Sequence, residues 1–353
     1  MANNVAADKL TSFYFHAEAH ALSGKLNKPF EEQIKEQALV KLEGHSRNLL
    51  LEGESKAPKD AELAELKKAR ERRAERNYLS QHSKNFRLES IISYSAAHTQ
   101  VSGHRSKKDP DAFVTLATSS VENLNVLNVV TADRVVAQIS TTHRKDPYSA
   151  EVTFLGTHFE NLRIARHKCE PYLNLDVCKR VLAGNEMRVG HDADFKKSAE
   201  AQYGRLGAGM KGFTPDDRKK MRLGADDSLI KTYHEGELKF ADFAKQATDA
   251  QKADLDPKIG YSDWDGITCS LVEHVDIKKI SAKDADDKNV DIPLPGTAFG
   301  HVIHVRDFGT IFLAELRVNH NSYNLTMIRL ELGCIADGNA SVAACTVNGG
   351  HKP

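Results

Sequence analysis

From Phe13 to Leu22 apolar and polar residues alternate. Phe13, Phe15, Ala17, Ala19 and Ala21 fall on one side, and Tyr14, His16, Glu18, His20 and Leu22 on the other. A period of two predicts a strand with one apolar face. Beyond "GKLNKP", the segment "FEEQIKEQALVKLEG" sets Ile34, Ala38, Val40 and Leu42 against Lys35, Gln37, Lys41 and Glu43, so the two segments are expected to pair as a hairpin. Between residues 85 and 175 Val, Thr, Ile, Leu and Asn dominate and helix formers are scarce. Within "VTADRVVAQI", Val135, Ala137 and Ile139 alternate with Arg134 and Gln138, which predicts a strand rather than a helix. The last third alternates again. Phe312, Ala314, Leu316 and Val318 are set against Thr310, Glu315 and Arg317, and Thr326, Ile328, Leu330 and Leu332 against Arg329 and Glu331. Such segments predict antiparallel strands with one solvated face.

Two stretches break this style. Residues 57–77, "APKDAELAELKKARERRAERN", contain no β-branched residue and carry Pro58 and Asp60 near their start, the signature of a polar surface helix. Residues 178–260 include a Thr-x-x-Asp capping box from Thr214 to Asp217, with Pro215 at the first helical position, and a helical stripe of Leu238, Phe240, Phe243 and Ala244. The expected fold is mainly β, either a sandwich or a repeat-built, solenoid-like β stack, with two helical insertions. Residues 1–55, 85–177 and 263–353 form one β core domain in this reading; 56–84 are a helical insertion and 178–262 a helical and loop insertion. The terminal β segments are too short to fold alone.

Charge narrows the partners. Lys plus Arg and Asp plus Glu both number 49 in 353 residues, so no global field pulls the chain toward nucleic acid or anionic lipid. The basic run "KKARERRAER" is diluted by Glu65, Glu71 and Glu75 and reads as a solvated helix face. No apolar run approaches the roughly 18 residues of a spanning helix, and "MANNVAADKLTSFYFHAEAHALSG" lacks the basic start and apolar stretch of a secretory signal. The expectation is a cytoplasmic protein, or one exported without a classical signal peptide. Cys169, Cys178, Cys269, Cys334 and Cys345 form no Cys-x-x-Cys and read as small buried hydrophobes.

Among chemical candidates the strongest is "YFHAEAH". On a strand His16, Glu18 and His20 project from one face, about 6.6–6.8 Å apart. Two imidazoles and a carboxylate suit Zn or Fe, as on the strands of jelly-roll metalloenzymes. The competing reading is a polar row on a solvated face. His301 and His304 are three apart, so on a regular strand they point to opposite faces and need a bulge to act together. His191, Asp192 and Asp194 lack the spacing of a calcium loop and read as a solvated loop. The glycine-rich "GRLGAGMKG", residues 204–212, lacks the Gly-Lys-Ser/Thr of a phosphate loop and reads as a flexible, hinge-like loop. There is no Gly-x-Ser-x-Gly elbow.

One phrase occurs twice, as "SSVENLNV" from Ser119 and "THFENLRI" from Thr157. Stacked strand–turn–strand units would share an apolar row, Val121, Leu124 and Val126 against Phe159, Leu162 and Ile164. Asn123 and Asn161 would then hold equivalent positions, where Asn tolerates a left-handed backbone.

The stretches "FRLESIISYSAAHTQVSG", "VENLNVLNVVTADRVVAQIST" and "VTFLGTHFENLRIARH", with "FGHVIHV", "FGTIFLAELRV" and "LTMIRLELGCIADGNASVAACTVNG", resemble a group of uncharacterised bacterial β-rich proteins. The segment "SSVENLNVLNVVTADRVVAQIS" is also weakly similar to bacterial secreted and surface β proteins. Neither likeness implies an activity. With no catalytic motif and its order concentrated in strands, the chain is expected to be a non-catalytic structural or binding protein without a cofactor. It would self-associate as a homo-oligomer through β edges, or present its helical insertions to a protein partner. The alternative is a metal-dependent enzyme of jelly-roll type using His16, Glu18 and His20 with Zn or Fe.

Overall fold

Alternation becomes two layers of sheet. The computed structural model describes residues 13–46, 78–106, 108–109, 111–144, 150–178, 193–211, 214, 216, 267–283, 289–318, 322–333 and 336–351. The strands in chain order are β1 (Phe13–Lys28), β2 (Glu32–Gln37), β3 (Val40–Ser46), β4 (Tyr78–Leu88), β5 (Ile92–Arg105), β6 (Phe113–Val126), β7 (Val130–His143), β8 (Glu151–Thr153), β9 (His158–Glu160), β10 (Arg163–Ile164) and β11 (His167–Leu173). Helix α1 (Ala193–Met210) follows. Then come β12 (Ile267–Ser270), β13 (Val272–Ile277), β14 (Ile280–Lys283), β15 (Asn289–Ile292), β16 (Gly296–Phe299), β17 (Val302–Val305), β18 (Gly309–Val318), β19 (Ser322–Leu332) and β20 (Asp337–His351).

Sheet A runs β16-β17-β18-β19-β20-β1-β2, with β12 alongside β18 and β3 alongside β1; sheet B runs β13-β11-β10-β7-β6-β5-β4, with β8 and β9 alongside β7. All the pairings are antiparallel, and β14 and β15 form a separate hairpin. Face to face, β1 lies on β5 and β6, and β20 on β6 and β7. Ala17, Ala19 and Ala21 are fully buried on β1, which is flanked by β20 on one side and by β2 and β3 on the other. At one end Phe13 stacks on Phe113 at 4.8 Å and meets Phe15 edge-on at 4.9 Å. Glycine makes room for this pair of rings: a Cβ at Gly103 would sit 2.6 Å from the Phe15 ring, and one at Gly349 2.5 Å from Phe13.

The long strands do not keep one phase. In sheet A the row Ala314, Met327, Ala343, Ala21 and Ala38 crosses the ladder at right angles. Ala314 on β18, Ala343 on β20 and Ala38 in the turn between β2 and β3 have φ of 48°, 51° and 49°. In sheet B the row Asn85, Ser95, Asn123, Asp133 and Asn161 does the same, with φ of 53°, 51° and 49° at Asn85, Asn123 and Asn161. No residue is inserted, because the register on either side of each row is unchanged. Instead the pleat reverses. On β19 Met327 and Ile328 are both buried; on β6 Glu122 and Asn123 are both exposed. Sheet A therefore doubles an inward pair and sheet B an outward one. The layers are tied near the rows, since Ser119 Oγ donates to His20 O at 2.8 Å.

This geometry explains the doubled phrase and corrects its stacked reading. The two copies do not lie on each other: they flank β7 in the same register, Val121, Glu122, Leu124 and Val126 on one side and Phe159, Glu160, Leu162 and Ile164 on the other. Leu124 and Leu162 are 2% and 1% exposed, as matching positions require. "KNFRL", residues 84–88, meets the row in the same way through Asn85. The described strands thus form two packed layers, and no stack of like units is seen among them. Asn is favoured where a left-handed residue faces water, because its short amide bonds locally. Asn123 Nδ2 donates to Ser95 Oγ at 2.8 Å, and Asn161 Nδ2 to Asp133 Oδ2 at 2.6 Å. Asn161→Val is expected to cost about 2 kcal/mol in denaturant unfolding, whereas Asn161→Gly stays within about 1 kcal/mol.

Other expectations need correcting. β4 begins at Tyr78, so residues 78–84 belong to sheet B and not to a helical insertion. As an edge strand it is wet on both faces and shows no alternation. The glycine-rich residues 204–210, read as a loop, form the C-terminal half of α1. Gly209 lies so close to sheet A that a Cβ would meet Phe299 at 2.6 Å. Phe312 does not share a face with Leu316, nor Thr326 with Ile328, since the pleat reversal lies between them. The predicted helix at 57–77 and the helical stripe of Leu238, Phe240, Phe243 and Ala244 lie outside the described residues, as do Asp217 of the capping box, His191, Asp192 and Cys334.

Candidate functional site

The row foreseen as a metal site lies on the outer face of β1, and each member has its own neighbour. His16 Nδ1 is 3.4 Å from Glu43, Glu18 pairs with Lys41 at 2.7 Å, and His20 Nε2 bonds Ser23 Oγ at 3.0 Å. The Glu18 hydrogen bond raises the Lys41 ammonium above its ordinary pKa. Burial lowers the His20 imidazole, against the opposing charges of Glu18 and Glu36. Among the described residues no three His, Cys, Asp or Glu side chains come close enough together to hold one metal ion.

His301 and His304 do not act together. His301 sits in the tight turn after Gly300 (φ 65°) and is buried, while His304 is half-buried on β17, near Thr310 Oγ1 at 3.3 Å. His301 belongs to a polar cluster where α1 packs on sheet A. Gln202 of α1 bonds both backbone groups of Ser270, at 2.6 and 2.8 Å, and the Ser270 hydroxyl donates to Leu313 O at 2.7 Å. Beside it Glu315 takes a bidentate ion pair from Arg329, one bond measuring 3.1 Å. Arg329 also reaches Glu331 at 2.6 Å and lies 3.5 Å above the Phe312 ring. Burial pushes the His301 imidazole down to about 4; Glu315 opposes this, and Arg205 and Arg329 reinforce it. Each carboxylate in the cluster is committed to an arginine, which makes it a structural clamp and not an acid–base pair. The four described cysteines are buried and free, and burial raises the thiols of Cys169 and Cys269 to about 11 and 12, away from a reactive thiolate.

The accessible chemistry lies on sheet B. Its outer face carries the doubled pairs Lys84–Asn85, Glu122–Asn123, Asp133–Arg134 and Glu160–Asn161. In the register Arg134 stands between Glu122 and Glu160. At its rim, among the described residues, β4 pairs only with β5, from Tyr78↔Ser102 to Leu88↔Ile92. Tyr78 and Leu79 are 48% and 39% exposed there. His82 lies opposite His98 on β5, with Nδ1 atoms 3.2 Å apart and ring centroids 4.3 Å apart. Sequence reasoning missed this pair because His82 fell in a segment assigned to a helix, and only the cross-strand register joins residues 16 apart.

A family model described as Domain of unknown function (DUF8256) matches residues 76–319, from the start of β4 to the end of β18. No curated protein matches the chain, and no solved structure does. No described helix is long and apolar enough to cross a membrane.

Proposed function

The chain belongs to that family, and we propose that it is a non-catalytic structural or binding protein that self-associates through the open edge of sheet B. The observation that carries this is the outer side of β4. No described strand pairs with it, so its backbone donors and acceptors face outward along 11 residues. Edge strands are normally blunted by charge, proline, bulges or shortness. The other ends of the two sheets follow that rule: β16 has four residues, β2 is "EQIKEQ", and β13, "VEHVDI", carries Glu273 and Asp276. On β4, Lys84 and the left-handed Asn85 protect only the second half. "YLSQHS", residues 78–83, has no charge, proline or glycine and exposes two large apolar side chains. A second copy can supply an antiparallel strand of the same polarity, which is the isologous solution to an open edge.

Sedimentation of the full chain tests this reading. Concentration-dependent dimers are expected, and Leu79→Lys should return them to monomers with its folding stability within about 0.5 kcal/mol of the parent. A chain that sediments as a monomer at every concentration, or dimers indifferent to Leu79→Lys, would overturn it.

A further inference from the structure

We propose that His82 and His98 form a two-imidazole site for a borderline divalent transition metal ion of the Zn²⁺, Ni²⁺ or Cu²⁺ class. The argument is geometric. Zinc–nitrogen bonds of about 2.0–2.1 Å at a tetrahedral angle hold two donor nitrogens about 3.3 Å apart. The two Nδ1 atoms are 3.2 Å apart. One Nδ1 donates its proton to the other; on binding, that proton shifts to Nε2 of the donor ring, and a small rotation of the rings turns both Nδ1 lone pairs onto an ion seated off the line between them. Each ring then carries its one proton on Nε2.

The backbone fixes the pair in advance. His82 and His98 are directly opposed within a continuous antiparallel ladder from Tyr78↔Ser102 to Lys84↔Ala96. His98 lies on the outer face, because Ala97, Thr99 and Val101 alternate with it into the core. Its other cross-strand neighbour is Ser120, and the adjacent pair on the His82 side is Ser80↔Gln100. The surrounding charges are of mixed sign: Lys84 and Glu122 both lie opposite Ala96, and Arg134, opposite Glu122, donates from Nε to the Ser120 hydroxyl at 3.2 Å. Imidazole nitrogen selects Zn²⁺, Cu²⁺ and Ni²⁺ over Mg²⁺ and Ca²⁺, which prefer oxygen. Two protein donors leave the remaining positions to water or to a donor from another molecule.

Calorimetric titration of the full chain with Zn²⁺ alone reads the site. One ion per chain is expected, weakened about tenfold or more by His82→Ala or by His98→Ala. The double variant should lose one ion per chain, and His16→Ala with His20→Ala should not affect it. Cu²⁺ electron paramagnetic resonance gives an independent reading, with nitrogen splitting from two imidazoles in the parent and loss of that pattern in the double variant. No binding by the parent, or the same number of ions and the same spectrum in the double variant, overturns the proposal. The site lies within one chain, so it should bind whether or not Leu79→Lys abolishes association, and the two proposals fail separately.

Discussion

Phe13→Ala is expected to lower the unfolding free energy by roughly 3–5 kcal/mol, the range for emptying a fully buried phenylalanine site. Three contacts put it at the upper end. Phe13 is fully buried, stacked at 3° on Phe113, edge-on to Phe15 and tilted 5.0 Å from His143. The rings join β1 of one layer to β6 of the other, so the void would open between the sheets. The floor under Phe13 is Gly349, whose bare backbone has no side chain to fill the space. Denaturant unfolding measures the loss. Phe13→Leu should lose less, roughly 1–2 kcal/mol, because it retains most of the volume and forfeits mainly the geometry of the ring contacts. A cost under about 1 kcal/mol for Phe13→Ala would mean that the layers do not meet at these rings.

The second large effect is a loss of stability in mild acid, centred on His301. Burial holds its imidazole at about 4 in the folded chain, against 6.5 for the free side chain. Between these values the unfolded chain binds a proton that the folded chain refuses. Stability therefore rises with pH through this window, and falls as the pH drops from 6.5 to about 4. Above the window both states are neutral and below it both are protonated, so the slope vanishes at either end. The difference is on the order of 3 kcal/mol. Denaturation midpoints measured across the window should show this slope, and His301→Gln should flatten it. An unchanged slope in that variant would assign the acid sensitivity to other groups.

What the residues reveal in advance depends on whether a single backbone sign persists. β1 and β7 are legible because their alternation is long and one face is dry. The cysteines are legible because small thiols without metal spacing have one bland use, and the four described ones are buried. Asn123 and Asn161 are legible as left-handed candidates because asparagine advertises that conformation. Ala314, Ala343 and Ala38 adopt the same backbone silently, so simple alternation places Phe312 and Thr326 one residue out of phase. β4 was hidden for another reason: an edge strand wet on both sides has no apolar period to betray it. The candidate sites divide in the same way. His16, Glu18 and His20 are visible as a local pattern, but their partners come from β3 and from Ser23 further along β1 itself. His82 and His98, or Glu315 and Arg329, become neighbours only through register.

The pleat reversals also change which mistakes this chain can survive. In an ordinary strand, adding or deleting one residue turns the apolar side outward for the rest of its length. Here each long strand consists of two half-strands that are already out of step, joined at a row where every neighbour makes the same correction. A slip in one strand would therefore misalign both its facing and its meeting point with four others. The rows thus act as a transverse ruler: they penalise sliding along the strand direction, the motion that a flat sheet of uniform pleat resists least.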